Sequence, residues 1–298
     1  MKARAFILTV VALANVAPFP PSSAQQKVML GHAAAPTVSV KLLAAVGDIR
    51  VIGWDRDSVA LSGIVPIGVK AELFGGSPSE RAKGLKMFVE APTEQSGREG
   101  KLILRVPHGA RVWLKTGSAD MDVTGITGGL DLSVVGGSIT VHGSPREVRA
   151  ESMDGSVTID GAPEWLRAKT ATGDIMMHGG MDVGASTISG TIRTSGGEVE
   201  RARLESTTGT ISFASGLVRD ASVELETHSG PIDIQLSFTA DVEIDAATMT
   251  GAIDNQWSRP RPVAGREGRG MTLQTSSGMG GPKIAVRSFK GTVQIRGK

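Results

Sequence analysis

Residues 137–180 read GSITVHGSPREVRAESMDGSVTIDGAPEWLRAKTATGDIMMHGG, and their spacing decides the fold. Three glycines, 137, 155 and 173, each open the form Gly-x-[Ile/Val]-x followed by an apolar residue: GSITV, GSVTI and GDIMM. Working outward, the same form recurs at Gly47, Gly190, Gly209, Gly230, Gly251 and Gly291. From Gly137 to Gly251 the steps are 18, 18, 17, 19, 21 and 21 residues. A fixed period of this kind marks a stacked repeat. Upstream of each glycine every second residue is apolar: Leu130, Leu132 and Val134 before Gly136-Gly137, or Leu166 and Ala168 before Gly173. Closer to the glycine the same face turns to small hydroxyls, Ser152, Thr170, Thr187, Ser206, Thr227 and Thr248. Alternation with period two predicts strands with one buried face.

Downstream of each glycine the phase slips. The apolar residues now sit two and four positions on, as in Ile139 and Val141, or Val157 and Ile159. A strand changes its inward face only through a bend or bulge, and glycine allows the backbone angles of such a corner. A second glycine column, 53, 143, 161, 179 and 196, closes the second strand and opens the return turn. Each repeat is therefore strand, corner, short strand, turn. The expected fold is all-β: a parallel β-solenoid of 18–21-residue rungs, about 4.8 Å apart. An antiparallel sandwich of hairpins would need a tight turn such as Asp154-Gly155 in every repeat, and the sequence does not supply one. Hydroxyl side chains inside the stack are expected to bond to the next rung. Outward charges of opposite sign, Asp131 with Arg149, Glu151 with Lys169, Arg203 with Glu224, are expected to sit in vertical ladders.

The ends read differently. Residues 1–24, MKARAFILTVVALANVAPFPPSSA, carry two charges, an apolar run and small residues before Gln25, the pattern of a signal peptide. Without them, basic and acidic residues balance at 30 each, so overall charge gives no case for nucleic acid binding. No second apolar stretch is long enough to span a membrane as a helix. The chain has no cysteine, which excludes disulfides and thiol chemistry. Residues 25–109 form a β-rich N-terminal region with one early repeat and a cap. Within it the stretch around Ser77–Lys86 suggests a short capped helix, and KMFVEAP and KLILRVP suggest strands. Residues 110–298 form the repeat stack, interrupted by a flexible loop at 256–270 that is rich in Pro, Gly and Arg.

VPHGARVWLKTGSADMDVTGITGGLDLSVVGGSITVHG (106–143), GDIRVIGWDRDSVAL (47–61) and GPKIAVRSFKGTVQIRGK (281–298) resemble the bacterial "putative adhesin" β-strand-repeat family. The resemblance covers most of residues 38–298. It implies an exported β-helix-like protein of adhesin type, with no catalytic signature to carry over.

No catalytic, cofactor or metal site is predicted, and no HExxH, phosphate-binding loop, EF-hand or GxSxG is present. Three arrangements carry chemistry worth locating. His142, Asp160 and His178 share one offset on successive repeats, where stacking brings potential zinc ligands together. Asp233 and Asp254 share another, a carboxylate pair of the kind a polysaccharide-cleaving β-helix uses. Val135, Met153, Ala171 and Ile188, each two before a repeat glycine, form an outward apolar stripe. Either residues 64–109 cover it or it docks a partner. The expected function is a non-enzymatic adhesin-like or scaffold binding module. It would be periplasmic or at the cell surface, with an envelope protein or glycan as partner. A carbohydrate-active enzyme and a purely structural envelope protein are the alternatives.

Overall fold

The computed structural model describes residues 25–77, 79–92, 97–265, 268–278 and 280–298. The signal-peptide expectation for residues 1–24 lies outside the described residues. Among the described residues the protein is all-β, with 24 strands joined by pairing and no α-helix. No helix there is long and apolar enough to cross a membrane.

Consecutive repeats pair parallel and in register. Strand Glu147–Ser152 lies between Gly129–Gly136 and Trp165–Thr170, and Val157–Asp160 lies between Ile139–His142 and Ile175–His178. Strands before the glycine thus pair with one another, and strands after it do the same. The inward residues of both sets fill a single core. Leu130, Leu132 and Val134 are buried ahead of the corner, Ile139 and Val141 beyond it, so the phase slip falls at the glycine.

The order of the stack is not the order of the chain. The last repeat, 283–297, sits between two earlier ones. Lys283–Ser288 pairs parallel with 222–227 on one side and 243–248 on the other. Val293–Gly297 likewise pairs with 232–236 and 253–255. The N-terminal end repeats the device. Residues 39–44 and 48–54 belong to the first repeat in sequence. They are flanked by 111–116 and 121–124 inward, and by 84–89 and 101–107 outward. The first and last repeats in sequence are therefore interior, while the N-terminal segment 25–33 folds back as the outermost strand beside 58–66. Antiparallel strands close the ends of the stack: Lys70–Phe74 on Ala82–Glu90, Ser58–Pro66 on 101–105, and Met271–Ser276 on Glu243–Thr248. The outermost strands are thus antiparallel, 25–33 beside 58–66 at one end and the two-residue strand Val263–Ala264 beside 271–272 at the other, where its shortness limits edge pairing.

One local expectation changes: among the described residues of 77–86 no helix forms. Ala82–Glu90 is a strand because Leu85, Met87 and Val89 alternate into the core. Trp257, near the start of the 256–270 stretch, is buried, and its Nε1 donates to Ser237 O at 2.9 Å.

Candidate functional site

The corner glycines fix how closely repeats approach. A Cβ on Gly155 would lie 1.8 Å from Gly137 O, and one on Gly173 2.0 Å from Gly155 O. The contact passes from Gly230 to Gly291 and from Gly291 to Gly251, the same order as the strands. Glycine is needed at these positions by close backbone approach and not by a left-handed φ, which Gly155 and Gly173 do not adopt. The inner hydroxyls serve the same corner. Thr187 and Thr227 accept from the amides of Gly190 and Gly230, and Ser288 donates to Gly291 O. Bonds to a neighbouring repeat occur, as in Ser152 Oγ to Gly137 O at 2.8 Å, but closing the corner of their own repeat is the more regular role.

Just before the corner the chain emerges from the core, and there the stripe forms. Amide-to-carbonyl bonds run from Ala171 to Met153, Ile188 to Ala171 and Thr208 to Ile188, so the column is continuous. Val135 is 50% exposed, Met153 57% and Ile188 57%. The described residues of 64–109 supply strands at one end of the stack, where residues 88–90 border Val135 and leave it half exposed. The column extends further than the sequence suggested. Beyond Ile188 it continues through Thr207, His228, Phe289 and Met249, with Phe289 41% and Met249 55% exposed. The last two were missed because the chain order places them apart. The available signal was their offset, two before Gly291 and two before Gly251. The His228 ring lies parallel to Phe289, with centroids 4.9 Å apart and planes inclined by 7°.

At this half of the column the surface is concave. A groove of about 780 Å³ runs beside Ile188, Thr207, His228, Phe289 and Met249, floored by the buried hydroxyl column. Its outer wall is charged. Arg203 bridges Glu205 and Glu224, the latter at 3.0 Å, and the Glu205 hydrogen bond first, then the surrounding carboxylates, raise its guanidinium pKa. Arg287 holds Asp245 at 2.9 Å.

The other candidate arrangements resolve as follows. His142, Asp160 and His178 do stack in register. His142 Nδ1 lies 3.5 Å from Asp160 Oδ2, whereas His178 Nδ1 turns away to Ser195 Oγ at 3.3 Å. Among the described residues no group of three such side chains converges to hold a metal. Asp233 and Asp254 are not on adjacent repeats, because Gln294 of the inserted strand stands between them. They are two strand spacings apart, about 9–10 Å, beyond the separation of a retaining carboxylate pair. Each has its own partner, Arg296 for Asp233 and Gln256 for Asp254. Arg203 with Glu224 forms the expected ladder pair. Asp131 with Arg149 and Glu151 with Lys169 stand opposite each other in register.

The family model described as Toastrack DUF4097 matches residues 78–296. Among curated proteins none matches. Among the solved structures this chain is similar to are three matched over most of their length at low identity. A putative adhesin from Bacteroides fragilis is 12% identical, covers 93% of this chain and 99% of its own, and has a TM-score of 0.44. A putative lipid binding protein from Parabacteroides distasonis is 14% identical, with coverage of 90% and 96% and a TM-score of 0.42. A putative cell adhesion protein from Clostridium sporogenes is 11% identical, with coverage of 92% and 99% and a TM-score of 0.23. The family model spans most of the chain and every stacked repeat after the first, so this protein belongs to the Toastrack DUF4097 family.

Proposed function

We propose that the protein is an exported, non-enzymatic β-solenoid that works at the cell envelope as an adhesin-like or scaffold binding module. The observation that carries this is the apolar column from Val135 to Met249, open along one edge of the stack. Exposed apolar surface organised in a line, and not scattered, marks an interaction site. The export pattern at residues 1–24 supports an envelope location, and family membership supports a non-catalytic role. The partner is an envelope protein or glycan that lies along the column, with the groove at His228 and Phe289 as its anchor.

The test is retention. The mature chain, immobilised, is offered envelope fractions and a glycan array, beside the variant Val135→Lys/Ile188→Lys. Both positions are exposed, so the variant is expected to fold with an unchanged melting temperature. Wild type is expected to retain a component that the variant loses. Equal retention by both proteins, or none by either, would overturn the assignment.

A further inference from the structure

From the pattern of charge beside the stripe, we infer that one partner of this surface is a second copy of the chain, docked antiparallel. The proposal rests on the stripe being a contact surface and names what it contacts. One flanking row lies two residues before the stripe, the other one residue after it. Both run one residue per repeat in the same stacking order. Consider a two-fold axis crossing the stack between the repeats of Ile188 and Thr207. Each row then faces its own reverse. Lys169 meets Glu226, Glu151 meets Arg287 and, on the other flank, Asp154 meets Lys290. Within the eight repeats from Val135 to Met249, neither row brings like charges together.

The stripe and the surface shape agree with this register. Met153 faces Phe289, a sulfur–aromatic contact, and Val135 faces Met249. The larger groove lies along the column from Ile188 to Met249, and a smaller concavity of about 420 Å³ adjoins Val135 at the other end. Reversal sets the exposed Met153 of each copy over the larger groove of the other. The parallel alternative, with the axis along the stack, places one flank against the other. It would bring Glu151 to Asp154 and Arg287 to Lys290, both repulsive. An isologous contact repeats each pair twice, which doubles the effect of any single change. The shared strip is seven strand spacings long and on the order of 600 Å² per copy, at the small end of specific interfaces.

Sedimentation across a micromolar concentration series reads the association. Lys169→Glu and Glu226→Lys are each expected to weaken it about tenfold, and the double variant to restore it to within about threefold of wild type. Because the chain has no cysteine, register can be read by cross-linking. A mixture of Met153→Cys and Phe289→Cys proteins is expected to form a mixed disulfide, with neither cross-linking alone. A monomer at all concentrations, cross-linking of Met153→Cys with itself, or no rescue by the double reversal would overturn the proposal. Retention of an envelope component by a strictly monomeric protein would leave the binding-module assignment standing. Dimerisation without any such retention would do the opposite.

Discussion

At the scale of single residues, glycine sets the packing distance of the stack. Gly173 has no space for a methyl group: the obstacle is the backbone oxygen of Gly155, which cannot swing aside as a side chain could. Gly173→Ala is expected to cost roughly 2–3 kcal/mol in urea unfolding, the range for overpacking a rigid site. Gly117 is the control. Nothing lies within 4 Å of its Cβ position and its φ is not left-handed. Gly117→Ala is expected to stay within about 0.5 kcal/mol of wild type. Equal losses at the two sites would show that backbone freedom, and not close approach, selects glycine. Asp131 gives a second residue-level expectation. Burial raises its pKa above 3.8, Arg149 opposes, and Glu151 and Glu147 add to the rise. A folded-state pKa that is raised means the native protein binds the proton more tightly than the unfolded chain. The associated stability is complete below pH 3.8 and is lost as pH rises through the folded value. Asp131→Asn removes that loss. It is expected to melt above wild type at pH 7, with the gain disappearing near pH 3.5; a lower melting temperature at pH 7 would contradict the sign.

At the scale of the element, much was legible because two periods coincide. Period two assigns faces within a strand, and the 17–21-residue period aligns strands between repeats. Leu130, Val148, Leu166 and Val183 fall where the alternation puts them, buried, and Arg149 and Lys169 fall outside. Ser77 to Lys86 was misleading for a physical reason. Ser-Pro-Ser-Glu-Arg has the local chemistry of a helix start, but Leu85, Met87 and Val89 gain more by entering the core as a strand. The inner hydroxyls were placed correctly on the buried face. Their partners were harder to read, since a hydroxyl three residues before a glycine can close its own corner or reach the adjacent repeat. The first option satisfies the corner amide, an otherwise unpaired donor; Thr227 takes it, and Thr187 does so while also donating to Ala171 O of the adjacent repeat. The stripe was legible for four repeats and then hidden, because Thr207 interrupts its apolar character and Phe289 lies far ahead in sequence.

At the scale of the whole molecule, the sequence period does not encode stacking order. Each repeat presents two parallel edges of nearly the same shape, and nothing in Gly-x-[Ile/Val]-x favours one neighbour over another. The terminal repeats use this freedom by entering the stack one place in from each end. A terminal repeat placed there has parallel neighbours on both sides and cannot peel away from an edge. The arrangement can be tested at outward positions that leave the core untouched. Parallel neighbours stand about 4.8 Å apart, within the Cα separation that a disulfide tolerates, whereas two spacings exceed it. Asp233 and Gln294 are neighbours, and Asp233 and Asp254 are separated by Gln294. In this cysteine-free chain, Asp233→Cys/Gln294→Cys is expected to oxidise to an intramolecular disulfide, and Asp233→Cys/Asp254→Cys to stay reduced. The first bridge ties the last repeat to one 61 residues earlier, and is expected to raise stability by about 2–4 kcal/mol over its reduced form. A stack built in chain order would reverse the two outcomes. It would also restore Asp233 and Asp254 as a close carboxylate pair, so the same two variants decide both the topology and whether that pair has the separation of a retaining one.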